Sequence, residues 1–205
     1  MKGLFLGAHS QLAQLLLNKR PWTKLLLHSR TLNELQQIVF NLPKGLHADL
    51  FPCDFSNVQE NVIDEFQDRL ARFDYFDHVV LTAGSWSSYS RFEHVSLEDL
   101  YMAWQVNYFY PLSLLKHAIN QMPPGTHVYY WTLDVAVKSQ PLWTTMQPIL
   151  VAWETLLQQL AVEQGWLLHP IQTGFIRSPQ VLKLFPAGEL CVSITALEQA
   201  IEYCD

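Results

Sequence analysis

The sequence predicts an α/β protein: a doubly wound parallel sheet of about six strands, with helices on both faces. Three observations carry this expectation. Apolar runs of strand length alternate with segments of helical periodicity from one end of the chain to the other. The chain opens on Lys2-Gly3-Leu4-Phe5-Leu6-Gly7, followed by Ala8-His9-Ser10 and a leucine-rich helical stretch, which reads as strand, tight turn and helix. Its 205 residues, 49% hydrophobic and 16% charged, suit a single folded domain over residues 1–205 with a sizeable core.

Each element has its own signal. Residues 2–7 form a buried strand, and residues 10–19 a helix with Leu12, Leu15 and Leu16 on one face. Leu25-Leu26-Leu27 is a second strand. Thr31 caps the next helix, with Glu34 three residues on completing a capping box. Residues 47–53 make a third strand ending at Asp54, and residues 58–73 a helix striped by Val62, Phe66 and Leu70. Residues 78–82 are a fourth strand, closed by Ala83-Gly84. Ser96 caps a long helix through about Gln121, which Pro123-Pro124-Gly125 ends. Residues 127–133 are a fifth strand, and a loop over 134–144 follows. The next helix holds Pro148 in its first turn and runs to Gln164, with Gly165 as its C-terminal cap. On it, Val151, Leu156, Leu157 and Leu160 are expected to serve the core, with Trp153 facing elsewhere. Residues 166–172 are a sixth strand, and a last helix lies near 195–203.

Composition narrows the function classes. A net charge of −6 argues against nucleic-acid binding, which calls for a basic face. No run is long and apolar enough for a membrane span, and no cleavable leader is read at the N-terminus. Cys53, Cys191 and Cys204 are odd in number and far apart, without a CxxC. That pattern fits a reducing cytoplasm better than a disulfide framework or a zinc site. His117, His127 and His169 lack metal-ligand spacing, so no metal is expected.

In an α/β sheet the first strand–turn–helix is where a dinucleotide pyrophosphate rests on a helix N-terminus. Gly7 is the one glycine of the usual three, so it reads either as part of a nucleotide cradle or as a plain turn glycine. Arg30 reads as a phosphate clamp or a solvated charge, Asp54 as an adenine contact or a helix cap, and His9 as an anion donor or an exposed turn residue. Trp86, Tyr89, Trp131 and Trp143 surround the same cleft, either as an aromatic-lined pocket for a small-molecule ligand or as filling.

Taken in order, several motifs resemble the short-chain dehydrogenase/reductase family, and the resemblance covers most of the chain. Gly7-Ala8-His9-Ser10-Gln11-Leu12-Ala13 is similar to the family's GASxGIG turn. Ser29-Arg30 with Asn33-Glu34-Leu35 resembles the segment after the second strand, and Cys53-Asp54-Phe55 its acidic DV pair. Leu81-Thr82-Ala83-Gly84 is similar to NNAG, Val106-Asn107 to the VN pair of the long helix, and Gly174-Phe175-Ile176-Arg177-Ser178-Pro179 to PGFxxTP. The resemblance implies a Rossmann-type sheet and a dinucleotide held by Gly7, Ser10, Gln11, Leu12, Arg30, Asp54, Phe55, Ala83, Gly84 and Ser178. With Arg30 where an NAD enzyme shows an acid, it implies NADP. It also implies a homodimer through helices 97–121 and 148–164. The chain stops about where the family adds a seventh strand and a substrate loop, so a shortened, open pocket is expected.

At the catalytic positions the chain departs from the family. The family's Tyr transfers a proton, helped by a Lys four residues later. Aligning Leu160-Ala161-Val162-Glu163 with the family's LAxE puts Met146 and Leu150 at these positions. None of the eight tyrosines has a Lys four residues on. Asn107 and Thr132 remain as catalytic candidates, in a relay that lacks its other members. The expectation is therefore an NADP-binding protein without the usual hydride transfer. The alternative is an active NAD(P)-dependent oxidoreductase with a relocated acid/base, for which Tyr130 and Lys138 flank the cleft. Gln11 in a glycine's place leaves open that no dinucleotide binds.

Overall fold

The computed structural model describes residues 1–58, 60–84, 91–133, 145–173, 175–176 and 191–192. Strands β1 (Lys2–Leu6), β2 (Lys24–Ser29), β3 (His47–Pro52), β4 (His78–Leu81), β5 (His127–Leu133) and β6 (Leu167–Thr173) form one parallel sheet in the order β3-β2-β1-β4-β5-β6. A short parallel pair, β7 (Phe175–Ile176) with β8 (Cys191–Val192), stands apart from it. The helices are α1 (Gln11–Lys19), α2 (Leu32–Phe40), α3 (Val62–Leu70), α4 (Leu97–Trp104), α5 (Tyr110–Ala118) and α6 (Met146–Gln164).

The inner strands β1 and β4, with β2, bury side chains on both faces, which is why their sequences read as near-continuous apolar runs, while the edge strands β3 and β6 carry exposed positions. Phe5, Leu25, Leu27, Val80 and Tyr129 join Leu12, Leu16, Leu35 and Ile38 in a core under α1 and α2. Leu4, Leu6, Leu26, Val79, Val128 and Tyr130 join Phe66, Leu114, Leu115 and Leu157 in a second core under α3, α5 and α6. Each fully buried Leu or Phe contributes about 1.5–3 kcal/mol, so the two cores dominate the fold. Strand order reverses between β1 and β4, and the crevice above that switch point is where such sheets bind ligands.

The helix ends follow their sequence signals. Ser10 caps α1 by accepting from the Ala13 amide, and Thr31 and Glu34 form the capping box of α2. Gly165 ends α6 in the left-handed conformation, φ 71°. Asp49 in β3 is buried and ion-paired with Arg69 and Arg72 at 3.0 and 2.9 Å, which fastens the end of α3 to the sheet.

Three expectations need correction. The helix expected from residue 58 starts at Val62, because Asp54 turns the chain on itself: its carboxylate accepts from the Ser56 amide and its carbonyl from the Asn57 amide. The long helix through Gln121 is interrupted by a π turn over Gln105–Phe109, just ahead of Pro111. Proline has no amide to give the carbonyl four residues back, that of Asn107, and its ring crowds it, so the α ladder cannot run through. On α6, Val151 is exposed while Trp153 turns inward, against the second core. The buried stripe there is Met146, Ile149, Leu150 and Leu157. The helix expected near 195–203 lies outside the described residues. Among the described residues no helix is long and apolar enough to cross a membrane.

Candidate functional site

The β1–α1 turn is tied to its neighbours through its polar atoms. The Gly7 and Ala8 amides donate to the His28 carbonyl at 3.2 and 2.8 Å, so the turn is held by the end of β2. The Ser10 hydroxyl donates to Thr82 Oγ1 at 2.8 Å, and Thr82 in turn donates to the Gly7 carbonyl at 3.0 Å. Gly7 has φ 98°, and a Cβ there would lie 2.4 Å from the Ala83 nitrogen. Its bareness therefore serves the close approach of the segment after β4, with or without a ligand. Gln11, half-buried, opens α1, and Leu12 is buried in the core beneath it.

At the end of β2, His28 is buried. Its Nε2 donates to the Cys53 carbonyl at 3.0 Å while Nδ1 accepts from the Gly7 amide at 3.2 Å, so the ring is neutral. Burial pushes its pKa down to about 4. The ring stacks on Phe55 with centroids 4.4 Å apart, and Phe55 is buried in its turn. Burial also pushes the Cys53 thiol up to about 11, which makes it unreactive. Arg30 is exposed beyond β2 and makes no hydrogen bond or ion pair among the described residues. Two carboxylates lie in its field. Burial works to raise Glu34, but the Ser29 hydroxyl, the Thr31 amide and the charges of His9 and Arg30 hold it below the usual range. Asp54 behaves alike: burial opposes, and Ser56 and Arg30 prevail.

The second part of the site is a cavity of about 80 Å³ over the C-terminal ends of β1, β4 and β5, at the switch point. Ala83 and Gly84 form one rim, and Asn107 stands behind it; a Cβ on Gly84 would lie 2.8 Å from Asn107 Oδ1. Asn107 is buried in the π turn, where Nδ2 donates to the Ala103 carbonyl at 2.8 Å and lies 3.8 Å from Met146 Sδ. Its backbone carbonyl, to which Pro111 has no amide to give, accepts from Trp153 Nε1 at 2.6 Å. Met146 and Leu150 line the far wall, with Trp153 and Glu154 one turn further along α6. Thr132 is buried and donates its hydroxyl to the Glu154 carboxylate. Tyr130 also faces the cavity; burial first, and then the Glu154 charge, push its pKa above the ordinary phenol value. Among the described lining residues Glu154 is the only charged one.

The structure thus brings together Gly7, Ser10 and the Thr82-Ala83-Gly84 segment, places Asn107 behind them, and puts Thr132 beneath Glu154. Arg30, Asp54 and Phe55 gather at the ends of β2 and β3. Ser178, Lys138, Trp86, Tyr89 and Trp143 lie outside the described residues. Sequence reasoning overlooked Thr82, Trp153 and Glu154. Glu154 had a signal: it continues the line of Met146 and Leu150 at four-residue spacing, one helical face. Among the described residues no cluster of His, Cys, Asp and Glu is arranged to hold a metal ion.

No family model and no curated protein matches the chain by sequence. Solved structures resemble it in fold. A short chain dehydrogenase/reductase family protein superposes with TM-score 0.78 at 17% identity, covering 100% of this chain and 88% of that one. A short-chain dehydrogenase from Streptomyces avermitilis gives TM-score 0.76 at 18% identity over 98% and 82% of the two chains. A short-chain dehydrogenase/reductase, glucose/ribitol dehydrogenase, from Brucella melitensis gives 0.76 at 17% over 91% and 77%. With its six-stranded parallel sheet, its helices on both faces and these structural neighbours, the chain has the short-chain dehydrogenase/reductase fold.

Proposed function

We propose that this is a short-chain dehydrogenase/reductase-like protein that binds NADP and does not perform the hydride transfer usual to that fold. The observation that carries the reading is the cavity wall on α6. Met146 and Leu150, aligned with the proton-transferring Tyr and its Lys, are both buried and lack acid–base chemistry. The field is also reversed. A lysine there would lower a phenol's pKa, whereas burial and the Glu154 carboxylate raise that of Tyr130.

The residues present fit a dinucleotide. The α1 N-terminus stands at the β1–α1 turn and would take the pyrophosphate, and Arg30, exposed beyond β2, is the residue we assign to a 2′-phosphate. In this reading Asp54 would face the adenine, and the nicotinamide end would pass the Ala83-Gly84 rim of the cavity. When bound, the dinucleotide would supply a hydride donor or acceptor at its nicotinamide. Titration with NADPH and NADH tests this. NADPH is expected to bind, and Arg30→Ala to weaken NADPH at least tenfold, on the order of 1.4 kcal/mol, with less effect on NADH. Binding of neither nucleotide would end the cofactor reading, and steady turnover of a carbonyl panel would end the non-catalytic one.

One observation favours the second reading, an active NAD(P)-dependent oxidoreductase with a relocated acid/base. The Thr132 hydroxyl and the Glu154 carboxylate form a hydrogen-bonded pair at the cavity. The same carbonyl panel decides between the two readings.

Self-association through α4 and α6 belongs to this proposal. Leu97, Tyr101 and Phe109 are exposed on and just after α4, as are Val151 and Val162 on α6. Sedimentation at micromolar concentration should give a dimer; a monomer removes the idea. The free Cys53 thiol is in keeping with a cytoplasmic location.

A further inference from the structure

We infer that Glu34, from α2, accepts the ribose hydroxyls of a bound dinucleotide and opposes Arg30, so that the site holds an unphosphorylated ribose as well as a 2′-phosphorylated one. The inference rests on the dinucleotide reading above and adds the residue that sets the choice between the two nucleotides.

The argument starts from what the capping box leaves over. Glu34 Oε2 accepts from the Thr31 amide at 3.1 Å and from the Ser29 hydroxyl at 2.7 Å. Oε1 has no hydrogen-bond partner among the described residues. The cap therefore fixes the carboxylate through one oxygen and leaves the other as an acceptor. Ser29 is the last residue of β2 and is buried, so its hydroxyl holds the half-buried carboxylate at the C-terminal end of that strand. His28, one residue back, accepts from the Gly7 and Ala8 amides and joins this strand end to the β1–α1 turn. In dinucleotide-binding sheets a carboxylate in this region takes the ribose hydroxyls. Here no acid stands at His28, Ser29 or Arg30, and α2 brings one in its place.

Charge decides what the acceptor favours. Burial works against ionisation of Glu34, but its two hydrogen bonds and the charges of His9 and Arg30 outweigh it, so the group is an anion at neutral pH. Arg30 acts on Asp54 in the same way, and Asp54 Oδ1 is taken up by the Ser56 amide and hydroxyl at 2.9 and 2.7 Å. One guanidinium thus shares its field with two carboxylates. A 2′-phosphate drawn to Arg30 meets their repulsion, whereas a hydroxyl donates to Glu34 in a charge-assisted hydrogen bond. Selectivity is then a difference between an attractive and a repulsive contact, and Glu34 supplies the repulsive one.

The test is calorimetric titration of NADH, NADPH and the 2′-deoxy analogue of NADH. Glu34→Gln keeps a side chain that can close the capping box, which a urea curve verifies. It is expected to weaken NADH and strengthen NADPH, moving the ratio of the two affinities towards NADPH by about tenfold. On the unmodified protein the 2′-deoxy analogue should bind about fivefold more weakly than NADH. A purely structural Glu34 would lower both nucleotides alike. An unchanged ratio in a folded Glu34→Gln protein, an equal loss of both nucleotides, or a 2′-deoxy analogue that binds as NADH does would overturn the inference. The analogue needs no variant and decides even if Glu34→Gln fails to fold. Binding of neither NADH nor NADPH ends the cofactor reading and this inference with it. Nucleotide binding indifferent to Glu34 and to the 2′-hydroxyl ends this inference alone.

Discussion

The two ends of the crevice differ in what occupies their polar positions. At the β1–α1 turn, backbone and side-chain groups are knitted to neighbouring strands: Gly7 and Ala8 to His28, Ser10 to Thr82, Thr82 to Gly7. At the cavity, the far wall is the apolar surface of Met146, Ile149 and Leu150, broken by one carboxylate. The first end is scaffold, since its glycine and hydroxyls hold β1, β2 and β4 together before any ligand is considered. The second end presents Met146 and Leu150 where the family resemblance expects a Tyr and a Lys. Fold and reaction are thus separable along one crevice, and likeness of fold speaks to the first end more than to the second.

The largest effect that could break this contrast is at Gly7. A methyl group there meets the Thr82-Ala83 backbone just after β4 at 2.4–2.5 Å in a left-handed conformation, and backbone cannot step aside. Gly7→Ala should therefore cost about 3 kcal/mol or more, measured as a loss of unfolding free energy in urea. A stable Gly7→Ala protein would show that the turn is not the scaffold described.

A medium effect is expected from pH. His28 titrates near 6.5 when unfolded and about 4 when folded, because burial disfavours the charged ring. Between these values the unfolded chain holds more protons, so stability falls as pH falls from about 6.5 towards 4. The His28 share is up to about 3 kcal/mol. Burial depresses His78 and His169 to about 4 as well, so they add to the same slope. Melting curves at pH 7 and pH 5 should show the loss, and His28→Gln should flatten part of it. An unchanged slope in that variant would remove His28 from the account.

The smallest effect sharpens the contrast from the other end. A Cβ on Gly84 meets only the Asn107 side-chain oxygen, at 2.8 Å, and that group can shift. Gly84→Ala should stay within about 1 kcal/mol of the unmodified protein in urea, far from the cost at Gly7. A loss as large as that at Gly7 would mean that the cavity rim is scaffold too.

Much of this was legible in the residues. Apolar runs of strand length, the Thr31–Glu34 capping box, Gly165 and the Val62-Phe66-Leu70 stripe each announce local structure, because caps and periodicity act within a few residues. The absence of a Tyr–Lys pair was equally plain, since it needs only positions along one chain. The π turn was hidden because the proline acts on a carbonyl four residues earlier, and that carbonyl meets the Trp153 indole, far along the chain. The inward turn of Trp153 and the exposure of Val151 depend on which face of α6 meets the sheet, a matter of packing that periodicity alone left open.

By itself, then, the sequence determined the alternation of strands and helices, where most helices are capped, and that no Tyr is followed by a Lys four residues on. These depend on short-range sterics, hydrogen bonds and composition. Only the tertiary structure decided why Gly7 must be glycine, which hydroxyl Ser10 meets, that Glu154 and Tyr130 line one cavity, and that Thr132 bonds to Glu154. Those facts require β1 to lie beside β4 and α6 to cross β5, and such contacts join residues distant in the chain only when two hydrophobic cores close on both faces of the sheet.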